Sequence, residues 1–417
     1  MRSSYHVFVP GKTKCFPDIA AQKDAEENDV TLYLENIKDY DPSFFGSGDW
    51  FIHACPTLYP DDLRPRFVDL MCEYGATSID MTGGKPALIT LADGYARNNR
   101  AGAFFIRDNQ IRDFYGARGI EQQSLEKGLT VQQLFDQTEA EMIKRDDEKI
   151  DAAFFEKYQA LWKIAHENAP VWYNFCLCFA KAYRDKPGSP HAEEYLRVPA
   201  GLLRTYFAGK FRMAGENRVL TGEFEAILDA LVDAGLLTYN GSGAFYQAAC
   251  EEVVACLRNS GKVLEYYIYC TVKFSPTFQN QAMSWLFRHN AGASAAKNEV
   301  DIICTAGHTP VFISAKNVTA DSLGKNNFLN YVCYEVGWLA DRFGSLGTKT
   351  ILAAPNVPQF ENGQRSDYVA RAMSRGVYLL GDRCFEPGKL SKVLDLIVRD
   401  KKDWCEFLLG EKEPELV

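Results

Sequence analysis

Asn298-Glu299-Val300-Asp301-Ile302-Ile303-Cys304, followed by Pro310-Val311-Phe312-Ile313-Ser314-Ala315-Lys316-Asn317, is the stretch on which the reading of this chain turns. Two short apolar runs joined through a turn at Gly307 predict neighbouring strands. The first opens on an acid, Asp301, and the second ends on Lys316, where a buried strand ordinarily carries another apolar residue. Such a pair makes either a surface ion pair or a hydrolytic site. In the second case the carboxylate holds a divalent cation that activates water and screens a scissile phosphate, while the lysine positions or deprotonates that water. Glu265 falls early in a helix predicted from Gly261-Lys262-Val263-Leu264-Glu265-Tyr266-Tyr267. Glu299 lies two residues before Asp301, and Glu335 falls in a helix predicted over Phe328 to Phe343. Acids before, between and after the two strands are more than a hairpin ion pair requires.

The chain has 417 residues, which suits two or three domains. Its 47% hydrophobic and 24% charged residues are ordinary globular material. A net charge of −9 excludes a global basic field, so contact with nucleic acid must come from local patches or metal ions. The 12 cysteines are scattered without a CxxC pair, and Cys176-Leu177-Cys178 alone does not make a zinc site. They read as buried free thiols of a reducing cytoplasm. The start, Met1-Arg2-Ser3-Ser4-Tyr5-His6, lacks an apolar signal core, and no apolar run approaches the ~18 residues of a membrane span. A cytoplasmic protein is expected.

Towards the N-terminus, His6 to Val9, Thr31 to Glu35, Trp50 to Ala54, Thr77 to Asp80 and Gly102 to Arg107 read as strands, with helices over Leu63 to Tyr74 and Ala87 to Asn98. This alternation predicts a mostly parallel, doubly wound sheet with its ligand edge at the strand C-termini. Thr82-Gly83-Gly84-Lys85 follows one strand and precedes Pro86, a residue suited to a helix start. Backbone N–H groups at the glycines, a hydroxyl and an ammonium can cradle a phosphate-rich ligand, with Lys12 and Thr13 after the first strand as further candidates. The spacing is not that of a Walker A loop. From Gln122 to about Asp185 the pattern reads as an amphipathic helical connector, with Glu139 to Asp151 a solvated face. Gly222 to Tyr239 reads as a helix stopped by Gly235 and then a strand, like half of a winged helix. Beyond the central pair, Thr348 to Ala354 and Gly376 to Leu380 are strands, with helices over Asp367 to Ser374 and Leu390 to Val398.

Taken in order, Gly261-Lys262-Val263-Leu264-Glu265, Asn298-Glu299-Val300-Asp301, Pro310 to Asn317, Tyr334-Glu335-Val336 and Asp341-Arg342-Phe343-Gly344 resemble the ancillary effectors of type III CRISPR systems. These couple an N-terminal CARF domain to a C-terminal PD-(D/E)XK nuclease. The resemblance implies an α/β chain with a Rossmann-like CARF domain over 1–145, a helical connector with a winged-helix-like segment over 146–255, and a restriction-endonuclease-like domain over 256–417. It implies a homodimer that binds one cyclic oligoadenylate, cyclic tetra-adenylate above all. The implied activity is an allosterically switched, Mn²⁺- or Mg²⁺-dependent nuclease on single-stranded RNA, DNA or both, including nicking of DNA, in antiviral defence. Carried over by position, Thr82, Gly83, Gly84 and Lys85 line the ligand pocket, Glu265 and Asp301 serve the metal, and Lys316 stands beside the attacking water.

One position departs from the family pattern. Many members carry an acid two residues before the lysine, and here that residue is Ser314, whose hydroxyl is a poor ligand for a hard divalent cation. Glu335, from the following helix, and Glu299, on the Asp301 strand, are the candidates to replace it. Two alternatives stand beside the nuclease. One is a catalytically degenerate, ligand-gated nucleic-acid-binding protein marked by Ser314, and the other is a sequence-specific restriction endonuclease with an unrelated N-terminal domain.

Overall fold

The structure is a computed structural model and describes residues 4–8, 29–34, 50–54, 78–81, 86–107, 110–113, 130–136, 140–144, 152–186, 195–213, 216–242, 244–289, 297–307, 309–318, 320–324, 328–343, 348–401 and 404–410. In the first part of the chain, short runs rich in β-branched and aromatic residues form six strands. They are β1 (Ser4–Phe8), β2 (Asp29–Leu34), β3 (Trp50–Ala54), β4 (Ser78–Asp80), β5 (Gly102–Arg107) and β6 (Gln110–Asp113). Helix α1 (Pro86–Asn99) connects β4 to β5 and begins at the proline. The sheet order is β3-β2-β1-β4-β5-β6, parallel except for the β5–β6 pair. The order reverses between β1 and β4, the point at which doubly wound sheets open a crevice beyond the strand C-termini. In the sequence Lys12 and Thr13 follow β1, and Thr82, Gly83, Gly84 and Lys85 follow β4. All six residues, and the helix expected over Leu63 to Tyr74, lie outside the described residues.

The expected helical connector is more varied than its charge pattern suggests. Val131–Asp136 is a short helix, α2, but Ala140–Lys144 is a strand, β7, inside the segment read as a solvated helical face. An edge strand tolerates charges such as Glu141 and Lys144, which hide the alternation that reveals strands elsewhere. Helices α3 (Ala152–Glu167) and α4 (Ala169–Arg184) follow. Next come β8 (Arg197–Pro199), α5 (Ala200–Phe207), the hairpin β9 (Lys210–Met213) and β10 (Glu216–Val219), α6 (Thr221–Asp233), β11 (Leu237–Asn240) and β12 (Phe245–Ala248). Phe175, Phe207 and Phe224 form the aromatic centre of this part. As the sequence predicts, Gly235 stops α6. It adopts φ 66°, and the N–H of Leu236 reaches the carbonyl of Leu231 at 2.9 Å, a Schellman closure. A three-stranded sheet, β11-β12-β8, completes the helix-then-strand reading.

The rest of the chain folds as α7 (Glu251–Arg258), α8 (Lys262–Lys273), β13 (Asn280–His289), β14 (Lys297–Ala306), β15 (Thr309–Ala315), α9 (Ala320–Gly324), α10 (Phe328–Phe343), β16 (Lys349–Ala353), the small hairpin β17 (Phe360–Glu361) and β18 (Gln364–Arg365), α11 (Asp367–Met373), β19 (Val377–Leu380), α12 (Lys389–Val398) and α13 (Trp404–Leu409). A second sheet runs β19-β16-β15-β14-β13-β7. Residues 131–144, expected in the N-terminal domain, therefore belong to it: β7 pairs antiparallel with β13, and Val131 and Leu134 of α2 join the core around Trp285. β13, which no sequence pattern singled out, is the second strand from the edge of this sheet, between β14 and β7. The turn between β14 and β15 uses Gly307 at φ 59°, its N–H held by the side-chain oxygen of Gln279.

Strand alternation sorts the side chains onto two faces. Met283, Ile302, Cys304, Val311, Ile313 and Ala315 join the core shared with α8 and α12, whereas Ala282, Ile303, Phe312 and Leu352 join the core under α10 and α11. The fully buried Phe287 and Phe312 contribute roughly 2–3 kcal/mol apiece by the usual measure of buried apolar side chains. The alternation breaks at one level. Trp285 and Val300 face the α10 side, although a regular strand would send them to the other face from Ala282 and Ile303. Between the pairs Met283↔Ile302 and Trp285↔Val300 stand Ser284 and Asp301, and Ser284 adopts φ 51°. Both strands change face at Ser284 and Asp301.

No helix among the described residues is long and apolar enough to cross a membrane. The nine described cysteines are free and eight are buried, as the sequence predicts. Burial pushes Cys178 up to about 12, which leaves it an inert packing group.

Candidate active site

β14 and β15 pair regularly from Ala306↔Thr309 to Ile302↔Ile313 and then part. Just past the last pair, the buried N–H of Ala315 still requires an acceptor. It finds Asp301 Oδ2 at 2.8 Å. The same oxygen accepts from the Ser314 hydroxyl at 3.2 Å and from Lys316 Nζ at 3.2 Å. Asp301 thus stands at the fork between two strands, held by three donors from three successive residues. Hydrogen bonds to an ionised carboxylate are about twice as strong as neutral ones, so the fork and the carboxylate fix each other. All three bonds fall on Oδ2.

Lys316 keeps its backbone in the sheet: its N–H bonds the carbonyl of Ala353 at 2.8 Å. The next residue ties the fork to α8. Asn317 Nδ2 donates to the Ser260 carbonyl at 3.0 Å, and Asn317 Oδ1 accepts from Asn356 Nδ2 at 2.9 Å. Ser260 directly precedes Gly261 and α8, so this bridge fixes the helix that carries Glu265 relative to the end of β15.

Glu265 lies in the first turn of α8, one helical turn after Lys262, whose Nζ is 2.5 Å from Glu265 Oε2 and 2.6 Å from Ser284 Oγ. Ser284 Oγ stands 3.4 Å from the same carboxylate oxygen. The Glu265 side chain is 13% exposed. Burial pushes its pKa up from 4.5 to about 6; Lys262 pulls it down, and the nearby charges of Asp301 and Glu299 push it up again. Burial outweighs a close ammonium here, which leaves a carboxyl able to hold its proton nearly to neutrality.

On the α10 side of the sheet, Glu299, Asp301, Ser314, Lys316 and Glu335 border one cleft, floored by Val300, Phe312, Val336 and Leu339. The acids expected near Asp301 are therefore brought to it from two directions: Glu335 from α10 and Glu265 from α8, which pack on opposite faces. Among the described residues no group of three or more His, Cys, Asp or Glu side chains closes into a metal cage. The donors present suit a hard divalent cation that keeps several waters and takes only one or two carboxylates, the habit of Mg²⁺. Asp301 and Glu299 both border the cleft and both act electrostatically on Glu265.

Sequence reasoning missed Lys262 and Ser284. The i, i+3 spacing of Lys262 and Glu265 was available as a signal. A serine in a left-handed conformation leaves none, because nothing in its neighbours predicts the break in alternation.

No protein-family model matches the sequence, and no curated protein is significantly similar to it. Solved structures do match its fold. Can2 from Sulfobacillus thermosulfidooxidans, solved in complex with cyclic tetra-adenylate, superposes with a TM-score of 0.55 at 15% identity, over 95% of this chain and 98% of that one. Protein VC1899 from Vibrio cholerae superposes with a TM-score of 0.53 at 14% identity, over 97% of this chain and 98% of that one. The likeness runs nearly end to end in both chains, so the mixed α/β arrangement expected from the sequence is joined by a shared fold.

Proposed function

We propose that this chain is a cyclic-oligoadenylate-activated, metal-dependent nuclease of a type III CRISPR defence system. The observation that carries the reading is the fork at which Asp301 Oδ2 gathers Ser314, Ala315 and Lys316. It joins a fixed carboxylate, an adjacent ammonium and a cleft bordered by Glu299 and Glu335, the set that hydrolysis of a phosphodiester needs. The fold shared with a protein solved with cyclic tetra-adenylate supports the activator.

In this mechanism Asp301 would hold the cation, with Glu299 or Glu335 completing the carboxylate set on the cleft side and Glu265 supporting it from α8. A Mg²⁺ or Mn²⁺ held there would supply positive charge against the scissile phosphate and the Lewis acidity that activates a water. Lys316, an ion-pair partner of Asp301, orients that water by donating to it and accompanies the negative charge that develops on the phosphate. Ser314 occupies the position of the family's second acid and spends its hydroxyl on orienting Asp301. Ser314 itself brings no carboxylate, so in this reading Glu299 or Glu335 supplies the second acid.

The first sheet is the CARF domain in this reading. Its order reverses at β1 and β4, and the phosphate-binding candidates Lys12, Thr13, Thr82, Gly83, Gly84 and Lys85 follow those two strands in the sequence. Two copies of the chain would bind one cyclic tetra-adenylate, and its greater affinity for the closed dimer would shift the population towards the active form in the cytoplasm. The test is cleavage of labelled single-stranded RNA, single-stranded DNA and supercoiled plasmid with Mn²⁺, with and without cyclic tetra-adenylate. Cleavage that requires both ligand and metal, and disappears with EDTA and in Lys316→Ala, is expected. Cleavage by Lys316→Ala at the wild-type rate would remove the fork from the chemistry.

A further inference from the structure

Helix α10 buries one face and exposes another, and the exposed face is unusual. Leu329, Val332, Cys333, Val336 and Leu339 pack into the core. The opposite face carries Tyr331, Tyr334 and Trp338, whose exposures are 65%, 75% and 42%. At 100° per residue, these three and Glu335 fall within about a 100° arc. A solvent-facing helix normally fills such an arc with Lys, Glu, Gln or Arg. Here three aromatic side chains stand in a row, and Glu335 at the margin of the arc borders the cleft beside Asp301. The guanidinium of Arg375, following α11, lies over the Tyr334 ring at 6.0 Å. Arg371, one turn earlier in α11, is exposed as well.

We propose that Tyr331, Tyr334 and Trp338 form a stacking platform for an unpaired nucleic-acid strand entering the cleft; the proposal rests on the phosphodiesterase reading of that cleft. Successive bases of a single strand stack on a row of aromatic side chains, while cations beside the row draw the phosphates; this is the usual design of sequence-tolerant single-strand sites. Arg375 and Arg371 supply the cations in a chain whose net charge is −9, so the binding field is local. In a duplex the base faces are already stacked and cannot use the row. A second copy of the chain is the other conceivable occupant. Three side chains, however, fall well short of the ~800 Å² per partner of a stable interface, and a protomer seated there would cover Glu335 at the cleft rim.

The experiment measures binding of a fluorescent 12-nucleotide oligodeoxythymidine by anisotropy in EDTA, with cyclic tetra-adenylate and moderate salt. Its comparisons are an abasic strand of the same length and a duplex. The triple variant Tyr331→Leu/Tyr334→Leu/Trp338→Leu and its Phe counterpart are measured beside the wild type. The platform predicts that wild-type protein prefers the thymidine strand over the abasic one by roughly tenfold or more. The Leu variant should lose that preference and the Phe variant keep it. Equal binding of the abasic strand, no binding of the thymidine strand, or an unchanged preference in the Leu variant overturns the platform. So does conversion of the Leu variant to a smaller oligomer in sedimentation, which assigns the row to a protein interface. The two levels separate cleanly. Base-dependent binding without cleavage in Mn²⁺ and activator keeps the platform and sinks the nuclease, whereas cleavage with unchanged KM in the Leu variant does the reverse.

Discussion

Glu265 should make cation binding at this site depend on pH in a range where an ordinary glutamate would not. Burial lifts its pKa from 4.5 to about 6, against the pull of Lys262. Between those values the folded protein holds a proton that the unfolded chain has released, so folding stability falls as pH rises through this window. The difference of about 1.5 units amounts to roughly 2 kcal/mol, a cost borne by the cation-free protein at neutral pH. A divalent cation offsets that cost, and below pH 6 it must displace the proton first. The arithmetic for a single group at pKa 6 gives affinity about tenfold weaker at pH 5 than at pH 7, whereas an unshifted glutamate gives about 1.3-fold. The assay is Mn²⁺ titration of EDTA-stripped protein by calorimetry at pH 5, 6 and 7. Glu265→Gln should bind more weakly at pH 7 with its pH dependence flattened, and its cation-free form should be the more stable one at that pH. A change below twofold in the wild-type protein, or the same tenfold change in Glu265→Gln, would refute the coupling.

Two further outcomes are expected, the first from the geometry and the second from the sequence reading of the first sheet. Asn317→Ala removes the bond that ties the end of β15 to Ser260 before α8, together with the bond from Asn356, and leaves the Ser260 carbonyl without this partner; it should cost about 1–2 kcal/mol in thermal unfolding and lower kcat more than KM. Unchanged kcat would mean that α8 holds its position without the bridge. Lys85→Ala should weaken binding of cyclic tetra-adenylate in isothermal titration while cation binding at the Asp301 site is preserved, and unchanged affinity would remove Lys85 from the pocket.

The parts of this chain that could be read from sequence were those where one local pattern dominates. The β14–β15 pair was legible because its apolar runs are bounded by Asp301, a glycine turn and Lys316, and α10 is found at the bounds its periodicity predicts. The acids Glu265, Glu299 and Glu335 were legible as neighbours of that pair, but not their arrangement on two sides of a sheet. β7 was hidden because an edge strand needs only one buried flank, and Glu141 and Lys144 resemble a helix surface. Ser284 was illegible for a different reason. Its left-handed backbone costs of order 1–3 kcal/mol in a non-glycine residue, and only the surrounding tertiary structure imposes it. Strain of this kind opposite Asp301 belongs to the assembled sheet and to neither strand by itself.

The membership of β7 in the second sheet bears on how far the two halves of this protein are interchangeable parts. A fragment cut at residue 256 would keep Asp301, Lys316 and Glu265, yet it would bare the outer edge of β13 from Leu286 to His289, where Ala140–Lys144 now pairs. It would also uncover Trp285 and Phe287, which Val131 and Leu134 help to close off. Bared edges and aromatic cores of this kind invite aggregation. After the first sheet ends at Asp113, the chain contributes α2 and β7 to the second sheet and its core before α3 and α4. Recombination between relatives could therefore not trade one half as a cassette with a single join. It would have to carry residues 131–144 along, and the two portions would inherit each other's history.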